Sequence, residues 1–73
     1  MALSNRLRDL REEESKSQTE MAAFLNIHQT TLSKYENGTI DIPTEILCTL
    51  ADYYKTSTDF ILMRTSERNP YKE

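Results

Sequence analysis

The stretch from residue 17 to 38, SQTEMAAFLNIHQTTLSKYENG, constrains the fold of this chain more than any other. Ser17 followed three positions later by Glu20 is a capping box, in which each side chain accepts a hydrogen bond from the other residue's backbone N–H. Met21, Ala22 and Leu25 then recur at the spacing of a single helix face. Asn26 ends that helix, because asparagine tolerates left-handed backbone better than other residues with a Cβ. Another helix runs from about His28 to Asn37, and Asn37-Gly38 stops it. Two helices this short cannot hold themselves in water. They must pack on something, and the tight turn between them leaves the second with an inward and an outward face.

The rest of the chain supplies the packing partners. Leu3, Leu7 and Leu10 alternate with Arg6, Arg8, Glu12 and Glu13, which predicts a first helix over roughly 3 to 14. Pro43 is a start signal, Thr44 a candidate cap, and Ile46, Leu50, Ala51 and Tyr54 an inward stripe for a fourth helix. Ser57 can cap a short fifth helix, TDFILM, with Phe60 and Ile61 toward the core. The expected fold class is all-α, five short helices and no strand. The expected organisation is a domain over 1–64 followed by a loose polar tail over 65–73.

Composition excludes several classes of function. Cys48 is the single cysteine and His28 the single histidine, so neither an internal disulfide nor a zinc cluster can form. Gly38 is the single glycine, which rules out a phosphate-cradling glycine loop, and no nucleophile stands beside a base. The chain reads as a non-enzyme with no cofactor, no metal and no small-molecule ligand. No run approaches the roughly 20 apolar residues that span a bilayer. The opening MALSNRLRDL has no hydrophobic segment of signal-peptide type, and with one free thiol the expectation is the reducing cytoplasm. At 73 residues the core is small, which makes a partner subunit an obvious source of added stability.

The outward face of the third helix is the chemically interesting one. At about 100° per residue, Leu32 and Tyr35 point one way with His28 at the same edge. Gln29, Thr30, Ser33 and Lys34 cluster opposite. These are a carboxamide, two hydroxyls and an ammonium. Gln pairs bidentately with adenine, Lys reaches guanine acceptors, and the Thr methyl meets that of thymine. The bland reading, an ordinary solvated face, uses the same residue types.

Context decides between them. Leu7, Leu10-Arg11, Ser17-Gln18, Met21-Ala22, Leu25, Ile27, Leu32, Tyr35-Glu36-Asn37-Gly38, Pro43, Leu50-Ala51 and STDFIL occur in order from about residue 5 to 63. In this the chain resembles the phage-repressor/Cro-type helix-turn-helix family. The resemblance implies a lambda-repressor-like fold with the motif formed by helices 2 and 3. It also implies sequence-specific binding of double-stranded DNA, by a homodimeric transcriptional regulator of repressor type that reads a palindromic operator.

Position by position, the resemblance assigns Gln18 to a phosphate contact that also braces the recognition helix. Gln29, Thr30 and Lys34 match base-reading positions, with Ser33 nearby and His28 near the helix start. Asn37 matches a backbone-contacting position. Arg11 and Glu36 match a pair that bridges the first and third helices. Relatives use helix 5 and the tail to dimerise, which points to Phe60, Leu62 and Met63.

The formal net charge of −3 runs against a polyanionic partner. Over residues 15–38, however, Lys16 and Lys34 balance Glu20 and Glu36, and much of the acid lies elsewhere, in Glu12, Glu13 and Glu14 and beyond residue 44. Neutral side chains and backbone N–H groups also hold phosphates. Three departures from the family weaken the expected affinity or alter the scaffold: Asp41 in the loop after helix 3, Thr44 where some relatives carry arginine, and no glycine near Ser15-Lys16. The acidic balance supports a rival reading, a protein-interaction module such as an antitoxin or anti-repressor. Against it, the outward face of helix 3 offers no aromatic or leucine anchor. Cys48 reads as a half-buried packing residue rather than a redox sensor. Exposed Phe24 and Tyr53 are candidates for a dimer surface, although single exposed aromatics are common.

Overall fold

The computed structural model describes residues 4–69. The described residues form five helices, α1 (Leu7–Glu13), α2 (Gln18–Leu25), α3 (Gln29–Glu36), α4 (Thr44–Tyr53) and α5 (Thr58–Ile61), and no strand. The all-α expectation holds, and α2 and α3 form the helix-turn-helix. One core joins all five elements. Leu7 and Leu10 of α1, Met21, Ala22 and Leu25 of α2, Leu32 and Tyr35 of α3, Leu50 and Ala51 of α4 with Tyr54 just beyond it, and Ile61 of α5 are all buried. Each helix is too short to be stable alone, so burial of this shared apolar set holds their conformations.

Local signals set most boundaries. Ser17 Oγ accepts from the Glu20 N–H at 3.0 Å and Glu20 Oε1 accepts from the Ser17 N–H at 2.9 Å, closing the capping box. Asn26 sits at φ 58°, ψ 44°, the left-handed geometry that ends α2. Ser57 Oγ accepts from the Phe60 N–H and starts α5. Gly38, at φ 75°, turns the chain after α3 where a Cβ is disfavoured.

Three boundaries differ from expectation, one of them the end of α5, which stops at Ile61 rather than Met63, with Leu62 as its cap and Met63 in left-handed backbone at φ 63°. The first helix begins at Leu7 rather than near residue 3, and Leu3 lies outside the described residues. Non-local bonds displace the start: Asn5 Oδ1 accepts from the Leu7 N–H, Asn5 Nδ2 donates to the Tyr35 carbonyl at 2.8 Å, and the Arg6 N–H donates to the Ile61 carbonyl at 2.8 Å. Thr44 does not cap α4. Pro43 holds the cap position at φ −59°, ψ 146°, and its carbonyl accepts the first helical bond from the Leu47 N–H. Thr44 therefore falls inside the first turn.

The turn from α1 to α2 passes through Ser15 at φ 56°, a left-handed position occupied by a residue with a Cβ. Cys48 is exposed rather than half-buried. Beyond α5, Arg6 Nη1 donates to the Thr65 carbonyl, the Thr56 hydroxyl donates to the Arg68 carbonyl, and Arg68 pairs with Glu13 at 2.8 Å. Those bonds hold 65–68 against α1 and the α4–α5 connection. Residues 70–73 of the expected tail lie outside the described residues. No helix among the described residues is long and apolar enough to cross a membrane.

Candidate nucleic-acid interface

The capping box fixes where α2 begins, and so places Gln18 as its first residue. The left-handed turn at Asn26 and the extended His28 then place Gln29 as the first residue of α3. Two glutamines that open successive helices are thereby brought side by side. Gln29 Nε2 donates to Gln18 Oε1 at 3.3 Å, and Thr19 Oγ1 donates to Gln29 Oε1 at 3.4 Å. The Gln29 amide is held on both sides before any ligand arrives.

Gln18 also reaches inward, its Nε2 donating to Glu36 Oε1 at 3.0 Å. Glu36 is gripped by the Arg11 guanidinium through both of its oxygens, and the Arg11 Nη1 donates to the Lys16 carbonyl at 2.8 Å. A continuous polar chain thus runs from α1 through the end of α3 to the start of α2 and back to the start of α3. Hydrogen bonding to Glu36 is the main cause that raises the Arg11 pKa, and it outweighs the opposing effect of burial. Buried polar groups placed in a fully partnered network of this kind rigidify the elements they join. Among the described residues, no buried side-chain nitrogen or oxygen lacks a hydrogen-bond partner.

The other candidate residues lie along the solvent side of α3. Thr30, Lys34 and Asn37 are exposed, Ser33 is half-buried, and His28 is exposed at the cap without using its side chain to cap the helix. Leu32 and Tyr35, on the opposite side, are buried at 2 % and 6 % exposure. Gln29, Ser33 and Asn37 form a row four residues apart, while Thr30 and Lys34 form a second row beside it. Asn37 is oriented by the loop that follows, since its Oδ1 accepts from both the backbone N–H and the hydroxyl of Thr39.

An open cleft of about 410 Å³ lies beside these rows, lined by Arg8, Arg11, Gln18, Ser33, Glu36 and Asn37. Arg8 was not a candidate in the sequence. Its spacing from Arg11 was the available signal, because residues three apart share a helix face. Among the described residues no group of three His, Cys, Asp or Glu side chains is placed to hold a metal.

Elsewhere, Phe24 is 52 % exposed, and its ring centroid lies 4.9 Å from that of half-buried Tyr53. Of the three residues expected at a dimer surface, Phe60 is half-buried beneath the Arg6 guanidinium at 4.2 Å, Leu62 is half-buried, and Met63 is 52 % exposed.

Comparison with known proteins agrees with this geometry. A family model described as "Helix-turn-helix" matches residues 7–61, which spans all five helices. The chain is similar to the HTH-type transcriptional regulator ImmR of Bacillus subtilis (strain 168), at 39 % identity over 62 residues. The matched region covers 85 % of this chain and 49 % of that relative, so the chain spans about half the relative's length. No solved structure matches the chain.

Proposed function

This chain belongs to the helix-turn-helix family of phage-repressor and Cro type, and on that premise we propose that it is a DNA-binding transcriptional regulator of repressor type. In this reading α3 enters the major groove. Gln29, Thr30 and Lys34 meet base edges with Ser33 beside them, His28 contacts DNA near the helix start, and Gln18 and Asn37 hold phosphates. The observation that carries it is the Gln18–Gln29 bridge, which presents a pre-positioned carboxamide on an exposed helix face. An amide fixed in advance loses little rotamer freedom on meeting a base, so more of its hydrogen-bond energy goes into discrimination.

A homodimer reading a palindrome, with half-sites about 34 Å apart, goes with this reading. A single α3 addresses only a few base pairs, and two-fold symmetry doubles the contact set. Met63, Ile40 and Phe24, the last packed on half-buried Tyr53, are exposed apolar features from which such an interface is built. Action in the cytoplasm, without cofactor or small-molecule effector, belongs to the same proposal.

The test is selection from a randomised duplex pool at low salt. Enrichment of a palindrome with one-turn spacing is the expected outcome. No enrichment, from protein shown to be folded, overturns the reading and leaves a protein-interaction module of antitoxin or anti-repressor type, with the Phe24–Tyr53 surface as its first docking candidate.

A further inference from the structure

The cleft between α1 and α3 presents mostly donors, because its acceptor atoms are engaged within the protein. Glu36 Oε1 takes hydrogen bonds from Arg11 and Gln18, and Oε2 takes one from Arg11. Gln18 Oε1 accepts from Gln29, and Asn37 Oδ1 accepts from Thr39. What remains toward the cleft is the second N–H of the Gln18 amide, the NH2 group of Asn37, the Ser33 hydroxyl and the guanidinium of Arg8. The floor carries no net charge, since the Arg11 cation is matched by the Glu36 carboxylate. The charge of the mouth therefore comes from Arg8.

Arg8 is held only lightly. Its side chain is 71 % exposed, and its Nε meets Glu12 Oε2 at 3.3 Å, one turn along α1, where Glu12 is itself 54 % exposed. Exposed pairs of this kind contribute little and exchange readily for a better anion. A phosphodiester is such an anion: one negative charge on two non-bridging oxygens, which match the two-pronged donor face of a guanidinium. The position suits it as well, because Ser33 and Asn37 continue the row that Gln29 begins. A strand whose base edges meet Gln29 runs its backbone past that row.

We propose that Arg8, turning from Glu12, is the cation that holds the backbone phosphate which the DNA-binding reading places at Gln18 and Asn37 of this cleft. The inference rests on the DNA-binding reading and adds to it a contact from α1, outside the helix-turn-helix. Arg8 carries no sequence information in this role. It sets how deeply α3 sits and in which register.

The test measures binding of two fluorescently labelled duplexes, one of mixed sequence and one a selected operator, across a salt series for the wild type, Arg8→Gln, Arg8→Lys, Arg64→Gln and Gln29→Ala. Arg64 is an equally exposed cation beyond α5, at 70 %, and its variant controls for net charge alone. Arg8→Gln is expected to weaken binding equally on all sequences and to lower the salt slope by about 1, with an unchanged thermal melt. Arg8→Lys should recover most of that slope. An unaltered slope in Arg8→Gln, or a loss matched by Arg64→Gln, overturns the assignment. Failure of the two readings is separable: if Gln29→Ala weakens binding while Arg8→Gln does not, only the Arg8 contact falls. If the wild type shows no salt-dependent binding, the DNA reading falls and takes this inference with it.

Discussion

Arg11 and Glu36, 25 positions apart in sequence, meet side-on across the interior face of the fold, with Nε to Oε2 at 2.7 Å and Nη2 to Oε1 at 3.1 Å. Both side chains are nearly dry, at 11 % and 4 % exposure. The pair ties α1 to the last turn of α3, and through Gln18 to the first turn of α2. The tilt of α3 is thus set by a planar two-bond fork as well as by Leu32 and Tyr35, and a fork resists rotation in a way that apolar packing does not.

Glu36→Ala should destabilise the protein by about 3 kcal/mol, because it leaves a buried guanidinium unpaired and removes the acceptor that Gln18 uses. Denaturant unfolding of the variant beside the wild type measures this. A loss below about 1 kcal/mol would put the pair among ordinary exposed ion pairs and remove its bracing role.

Ser15 at φ 56° occupies backbone that a glycine adopts without steric cost. Ser15→Gly should therefore stabilise by about 0.5–1 kcal/mol, even after the added flexibility of the unfolded chain is counted against it. Asn26→Gly, at φ 58°, should gain less, because asparagine already tolerates this region. Paired thermal melts rank the two, and a larger gain at Asn26 contradicts the strain assigned to Ser15.

Which features the sequence disclosed follows from the range of the interactions that cause them. The Ser17–Glu20 box, the Asn26 turn and the Ser57 cap are closed within a few residues, so residue identity and spacing suffice to find them. The apolar stripes of α2 and α3 are legible for the same reason. The start of α1 is not, because the Asn5 and Arg6 groups that set it bond to Tyr35 and Ile61, far along the chain. Thr44 misled because its identity suits a cap while Pro43 already supplies the extended backbone that a cap requires. At the candidate interface, helical periodicity gave the row along α3. It did not give the Thr19 contact to Gln29 or the cleft beside Arg8, since both depend on how α1 and α2 lie against α3.

Burial pushes the Tyr54 phenol up from 10.0 to about 12, with neighbouring Tyr53 and Glu36 adding to the effect. A proton held more tightly when folded gives stability that is intact below pH 10.0 and declines as pH rises from there toward about 12. Tyr54→Phe should flatten that alkaline limb in denaturant titrations taken across pH. Glu20 acts at the other end. Chiefly the Ser17 backbone N–H, and then the Ser17 side chain, hold its carboxylate below 4.5, so the cap's contribution is present above that value and lost as pH falls through the lower folded one. Ser17→Ala should cost about 1 kcal/mol near neutral pH through loss of the Oγ acceptor, whereas Glu20→Gln, which removes the titrating carboxylate, should make stability less acid-sensitive. An acid limb unchanged in Glu20→Gln would separate Glu20 from the effect.

The base-reading assignment makes its sharpest demand at Gln29. Gln18 and Thr19 fix which way its amide points, and each of its two polar atoms keeps capacity for one further bond. One remaining N–H beside one remaining oxygen lone pair is the pattern that adenine complements through N7 and its amino group. On a selected operator, Gln29→Ala should cost about 1–3 kcal/mol and relax preference at one or two base pairs. Gln18→Ala should reproduce part of that relaxation without touching a base, because it frees the Gln29 amide to turn. Lys34→Ala relaxes preference at a different position if the ammonium reads guanine, and instead lowers the salt slope by about 1 if it meets phosphate. Binding of the three variants to the operator and to its single-base substitutions distinguishes these cases. Losses of equal size on every sequence for both Gln29→Ala and Lys34→Ala would mean that α3 meets only the DNA backbone.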